Sequence, residues 1–259
     1  AFLYGEKLFD LNPNIDSLYK TLIFIVAKTK NWNQLILLSE KALSNKIIDK
    51  NTANENKSIG YYEIAKIKFN SDIKDSIYNI NKAINLKKNF SPYIKLHLEL
   101  LAKSNNISLL KKMIKKYWQL NPNPLIRSTI NQIIIESKLG DLSFINQIVK
   151  NNFNENESKK LLIFFAIENQ EWSLARKHII GLIGSNPSKE ICLFMADIEL
   201  GENNDKQKSD SWIKRSENFT DVNAWFCKIT NQSQEEWSSL SNSGYFNSLV
   251  LNNKIMIEN

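Results

Sequence analysis

The chain has 259 residues, of which 42% are apolar and 10% aromatic, enough to build a core and to exclude global disorder. Seven glycines and five prolines are fewer turn residues than a sheet protein of this length uses, and two cysteines exclude a disulfide framework and a four-ligand zinc site. The net charge of +7 is unevenly placed: ten basic residues and one acid, Glu99, lie between Lys82 and Arg127, so that segment carries +9 and the remainder −2.

In chain order, residues 2–11 read as the second helix of a pair, and the chain is expected to be cut from something longer, with an apolar face left open at this end. The helix end Lys7-Leu8-Phe9-Asp10-Leu11-Asn12-Pro13 returns as Lys116-Tyr117-Trp118-Gln119-Leu120-Asn121-Pro122. Shorter copies stand between them, at Lys41-Ala42-Leu43 and Lys82-Ala83-Ile84-Asn85-Leu86. The lysines are spaced by 34, 41 and 34 residues. Helix starts shift in step: Trp32, Ile73 and Ile107 each follow a short polar turn and precede their lysine by nine residues. The extra seven residues of the long spacing therefore fall in the polar stretch 45–58, which reads as a loop. Further starts at Leu142, Trp172 and Lys206 continue the series at spacings of 35, 30 and 34.

A period near 34 with paired helices is the signature of the tetratricopeptide repeat (TPR). The predicted pairs are 16–30 with 32–45, 58–70 with 73–88, 92–104 with 107–120, 124–138 with 142–152, 156–169 with 172–184, and 188–201 with 206–218. Neither helix of a pair buries its apolar stripe alone, so each pair stacks on the next. The fold predicted is all-α: a right-handed TPR-like helix-pair solenoid over 1–218 with an irregular C-terminal cap. Residues 219–259 lose the helical period and hold Trp225, Trp237, Tyr245 and Phe246 among serines and asparagines. They are expected to lay these aromatics on the last repeat, or to form a small separate module.

The stretch 107–124 reads as an amphipathic helix with one apolar and one basic side that stops at Pro122 and Pro124. On a helical wheel Lys111, Lys112, Lys115 and Lys116 fall within an arc of about 140°, opposite Ile107, Leu110, Met113, Ile114, Tyr117 and Trp118. With Arg127, these lysines are the candidate residues for binding a partner or an anionic surface, either an acidic protein or a membrane. Nucleic acid is not expected, because aromatic and basic residues do not alternate on one surface. His97 and His178 are the two histidines, each better read as packed or solvated than as a haem or metal ligand. No Ser/His/Asp or Cys/His set and no phosphate-binding glycine loop is suggested, so no cofactor, metal or catalytic residue is expected. No apolar run reaches the roughly 18 residues that cross a bilayer. Cys192, in an apolar helical context, is expected to be a buried thiol, weakly suggesting a reducing compartment.

Three stretches resemble the HemY-type TPR proteins associated with haem biosynthesis. Trp118-Gln-Leu-Asn-Pro122-Asn-Pro124-Leu125 is similar to the family's W-x3-P-H-P-x-L, with Asn123 in place of the histidine. Glu171-Trp172-Ser-Leu-Ala175-Arg176 is similar to its E-W-x-x-A-R, and the segment from Asp210 to Cys227, with Trp212, Asp221 and Trp225, resembles the one that leads to its W-x-C. The resemblance implies membrane helices ahead of the repeats, an inner-membrane tether with the repeats on the cytoplasmic side, and a non-catalytic scaffold for enzymes of late tetrapyrrole synthesis. It also implies a Cys-rich ribbon-like tail in some relatives. Here Cys227 remains, while Thr230, Ser241 and Ser243 stand where further cysteines are expected, so any ancestral zinc site is read as lost.

Overall fold

The computed structural model describes residues 2–12, 15–185, 187–219 and 225–251. Among them are thirteen helices and three short strands. The helices are α1 (Phe2–Leu11), α2 (Asp16–Lys28), α3 (Trp32–Ser44), α4 (Lys50–Lys68), α5 (Ile73–Leu86), α6 (Ser91–Lys103) and α7 (Ile107–Leu120). They continue with α8 (Pro124–Glu136), α9 (Leu142–Val149), α10 (Asn156–Glu168), α11 (Trp172–Ser185), α12 (Lys189–Asn203) and α13 (Lys206–Ser216). The strands are β1 (Trp225–Cys227), β2 (Ser233–Gln234) and β3 (Leu249–Leu251). The fold is the expected all-α arrangement of helix pairs.

The starts are set by side-chain caps. Asn31, Asp72, Asn106, Asp141 and Asp205 each accept a hydrogen bond from a backbone N–H of the turn they open, satisfying a donor the helix cannot. Asn123 does the same for Ile126, and Pro124 beside it occupies the first helical turn, where a missing N–H costs nothing. Several ends turn on a left-handed residue, among them Lys30, Asn105, Lys138 and Asn204.

The stretch 45–58 is not the loop expected. Asp49 accepts from the N–H groups of Asn51 and Thr52, and α4 begins at Lys50, so most of the polar stretch is helix. Its polar residues are used inward: Asn56 donates to the Tyr19 hydroxyl at 3.0 Å, and the Ser58 and Tyr93 hydroxyls lie 3.0 Å apart. An inward polar residue that finds a partner is compatible with a buried helix face, which hydropathy alone does not reveal.

The described residues form two compact units. The first holds residues up to Ser104 together with 225–251. In it α1 packs on α2, α2 on α3, α3 on α4, α4 on α5 and α5 on α6. Gly60 lets α4 approach α3, since a Cβ there would stand 2.7 Å from the Ile36 side chain. In the second unit, which begins at Asn105, α9 packs on α10, α10 on α11, α11 on α12 and α12 on α13. Its first helices α8, α10 and α12 touch in series, and α7 touches α9. Gly201 of α12 plays the part of Gly60: a Cβ would stand 2.2 Å from the Trp172 ring at the start of α11.

The tail departs from expectation. Strand β1 pairs antiparallel with β2 on one side and β3 on the other, with Trp225 opposite Gln234 and Leu251. Its aromatics do not reach for α12 and α13. Trp237 stands edge-on to Tyr62, Phe90 and Tyr93 at ring separations of 5.2, 5.1 and 5.8 Å, and Trp225 meets Phe90 at 5.9 Å. Trp225, Cys227, Trp237 and Leu249 thus belong to the core of the first unit. The physical reason is the supply of aromatic surface, since Tyr62 stacks on Tyr93 and Phe90 meets Tyr93 edge-on, leaving ring surface to cover.

Candidate functional site

Four of the five candidate residues lie on α7, as expected. Lys112 and Lys116 are exposed, while Lys111 and Lys115 are half-buried. Lys111 Nζ sits 4.9 Å from the centre of the Phe144 ring, and Lys115 Nζ reaches Gln147 Oε1 at 3.5 Å. None of the four meets a carboxylate among the described residues, so their charge is uncompensated locally.

Arg127 does not join them. It is 6% exposed, Nε donates to Glu157 Oε2 at 2.7 Å, and Nη1 lies 2.7 Å from Glu190 Oε1. Lys160 closes the cluster through Glu157 Oε1 at 2.8 Å. A guanidinium buried between two carboxylates is spent on the fold and is withdrawn as a partner-binding group. The signal was present in the sequence: Arg127, Glu157 and Glu190 are about one repeat apart and occupy matching first turns of α8, α10 and α12. Much of the remaining basic segment is likewise used inside the first unit. Lys87 pairs with Glu55 at 3.1 Å and Lys95 with Glu236 at 3.0 Å, Lys82 lies over the Tyr61 and Tyr78 rings, and Lys103 lies over Phe69.

The first helices differ between the units. In the first unit the tail covers Tyr62 on α4 and Tyr93 on α6, and Asn247 reaches Glu55 of α4. In the second, α8, α10 and α12 leave Gln132, Ile135, Glu168, Leu193 and Asp197 exposed. Burial and then the neighbouring Glu168 push the Asp197 carboxyl above its ordinary value.

The other sequence candidates fall into structural places. His97 is buried on α6. His178 stands edge-on to Phe153 at 5.6 Å, and burial, then Lys177 and Lys159, push its pKa down. Cys192 is buried and its thiol is pushed up by burial. In the tail a cavity of about 430 Å³ is lined by Cys227, Gln232, Gln234, Ser241 and Ser243, among others. Burial raises the Cys227 pKa, but the Ser248 and Thr230 hydroxyls and two backbone N–H groups outweigh it and bring it to about 6. The Thr230 and Ser243 hydroxyls lie 3.2 Å apart. No group of three or more His, Cys, Asp or Glu able to hold a metal occurs among the described residues. No described helix is long and apolar enough to cross a membrane.

The motif residues also pack. Trp118 is fully buried and its Nε1 donates to Ser158 Oγ at 3.0 Å. Arg176 donates to Glu199 at 2.9 Å and to Glu202 at 2.6 Å, tying α11 to α12. These residues therefore carry the helix-pair arrangement rather than a binding surface.

Repeated helix pairs packed in series define the architecture as an all-α, TPR-like helix-pair solenoid. Among solved structures that match is a tetratricopeptide repeat protein from Parabacteroides merdae, with a TM-score of 0.42 and 13% identity over 85% of this chain and 86% of that one. No protein-family model and no curated protein matches the sequence.

Proposed function

We propose that the chain is a non-catalytic protein-interaction scaffold whose partner lies along α8, α10 and α12 of the second unit. The observation that carries this reading is the contrast between the units. In the first unit the chain's own tail covers Tyr62 of α4 and Tyr93 of α6, whereas in the second α8, α10 and α12 touch in series and leave Gln132 and Ile135 of α8, Glu168 at the end of α10, and Leu193 and Asp197 of α12 exposed. In stacked helix pairs this layer is the usual seat of an extended segment. Exposed Ile135 and Leu193 beside Glu136, Glu168 and Asp197 suit a segment with apolar and basic side chains. Cross-linked pull-down of the full-length protein tests the reading. A discrete protein partner is expected, and recovery of nothing beyond an unrelated helical array refutes it.

The finer form of the reading, a membrane-tethered scaffold for enzymes of late tetrapyrrole synthesis on the cytoplasmic side of an inner membrane, rests on the resemblance of the three motifs alone. Tetrapyrrole enzymes among the captured partners would support it, and their absence from a successful capture would refute it. The unpaired lysines of α7 favour a second surface of different chemistry, with an anionic partner.

A further inference from the structure

The second unit segregates charge between its two sets of helices. The second helices α7, α9, α11 and α13 contain ten basic residues and one acid, Asp210. The first helices α8, α10 and α12 contain four basic residues and seven acids. The first unit shows nothing of the kind: its second helices α1, α3 and α5 hold four of each sign. Acids near the second helices of the second unit otherwise lie at their ends. Asp141 and Asp205 cap α9 and α13, and Glu171 and Glu217 flank α11 and α13.

Within this set Lys112, Lys116, Lys177, Lys206 and Lys214 are exposed and meet no carboxylate among the described residues, and the same is true of Lys150 just after α9. Large apolar side chains stand beside them. On α7 the positions Leu109, Lys112, Lys116 and Leu120 form one stripe along the helix, with the leucines 37% and 53% exposed. On α11 Lys177 is followed one turn later by Ile180, 63% exposed, and on α13 Ile213 adjoins Lys214. Side-chain contacts run along part of this layer: Lys115 reaches Gln147 from α7 to α9, and Phe153 beyond α9 leans on His178 of α11.

We propose that the second-helix layer of the second unit docks on an anionic lipid surface, its free lysines among the headgroups and its isolated aliphatic side chains at the edge of the acyl region. This deepens the second surface of the proposed function and is independent of the protein partner on α8, α10 and α12. The free cations are mostly lysines, which act as point charges on a diffuse anionic surface. Of the two arginines of the layer, Arg176 is tied to Glu199 and Glu202, while the exposed Arg215 lies over the Trp212 ring with its N–H donors still available. The exposed apolar residues are largely aliphatic and scattered singly, unlike base-stacking platforms and unlike the contiguous core of a protein interface.

The test is co-sedimentation of the intact chain with vesicles of phosphatidylcholine, or of phosphatidylcholine with phosphatidylserine, at low and high salt. Each lysine near an anionic surface is worth about fivefold in partitioning, so Lys112→Gln with Lys116→Gln is expected to weaken binding about 25-fold. The control pair Lys74→Gln and Lys88→Gln, exposed in the first unit, is expected to leave it unchanged. Far-UV circular dichroism verifies that both variants fold. Binding to the anionic vesicles alone, weakened by salt and by the first pair only, supports the proposal. Equal binding to neutral vesicles, no binding, or equal sensitivity to both pairs overturns it. So does tighter binding to poly-glutamate or to single-stranded DNA than to vesicles. Because no protein partner enters the assay, its failure leaves the scaffold reading standing, and the converse also holds.

Discussion

Replacing Arg127 by alanine removes the centre of the buried cluster that ties α8 to α10 and α12. Arg127 and Glu157 have side chains 7% and 6% exposed, so the loss strands Glu157 with Lys160 as its remaining counter-charge, at 2.8 Å. Breaking a buried pair from one side costs about 3–5 kcal/mol, and the surviving lysine places the cost near 3. For a unit of this size, intermediate between the small and large domains for which the scaling is known, that is a fall of about 9–18 °C in its melting temperature. The pH dependence fixes the cause. Burial pushes the Glu157 carboxyl up, but Arg127 and then Lys160 outweigh burial and hold it below its ordinary value. A carboxylate with a depressed folded pKa contributes stability above its unfolded value, about 4.3, and loses it as pH falls through the folded value. The deficit of Arg127→Ala is therefore greatest near neutral pH and shrinks below about pH 4, where Glu157 in the variant is protonated. Adding Glu157→Gln to Arg127→Met should restore much of the loss at neutral pH. Urea unfolding followed by far-UV circular dichroism at the two pH values measures both effects. A loss under about 1 kcal/mol, or one that persists unchanged in acid and is not rescued, refutes the reasoning.

Three further outcomes follow from packing. Trp237→Ala should cost about 3–5 kcal/mol, read as loss of amide-exchange protection in α4 and α6 and not in α12 or α13, because its ring rests on Tyr62, Phe90 and Tyr93. Gly201→Ala should destabilise by about 1–3 kcal/mol by driving a Cβ into Trp172, whereas Gly181→Ala, with nothing within 4 Å, should stabilise α11 by about 0.5–1 kcal/mol; thermal melting separates the signs. Ser158→Ala leaves the buried Trp118 Nε1 without its acceptor and should cost about 1–3 kcal/mol in denaturant unfolding.

The helix pairs were legible in the sequence because their starts are chemical. Trp32, Ile73, Ile107, Leu142, Trp172 and Lys206 are the first residues of α3, α5, α7, α9, α11 and α13, most following an Asn or Asp cap. The start of α4 was missed because its first turns are polar, and only tertiary partners such as Tyr19 and Tyr93 explain why Asn56 and Ser58 turn inward. The destination of the tail was hidden for a related reason. An aromatic side chain announces that it will be buried, but not on which of many stacked helices. Among the site candidates the α7 lysines were legible from periodicity, while Arg127 was misread because charge was counted along the chain. Its carboxylates sit 30 and 63 residues away, in the next two first helices.

The scaffold reading is tested most directly by site-specific photo-crosslinking in the full-length protein. A photoreactive side chain at Gln132 on α8 and, separately, at Asp197 on α12 should capture the same partner. One at exposed Leu37 on α3, in the first unit, should capture none. Equal capture from Leu37, or none from either position of the second unit, would contradict the account.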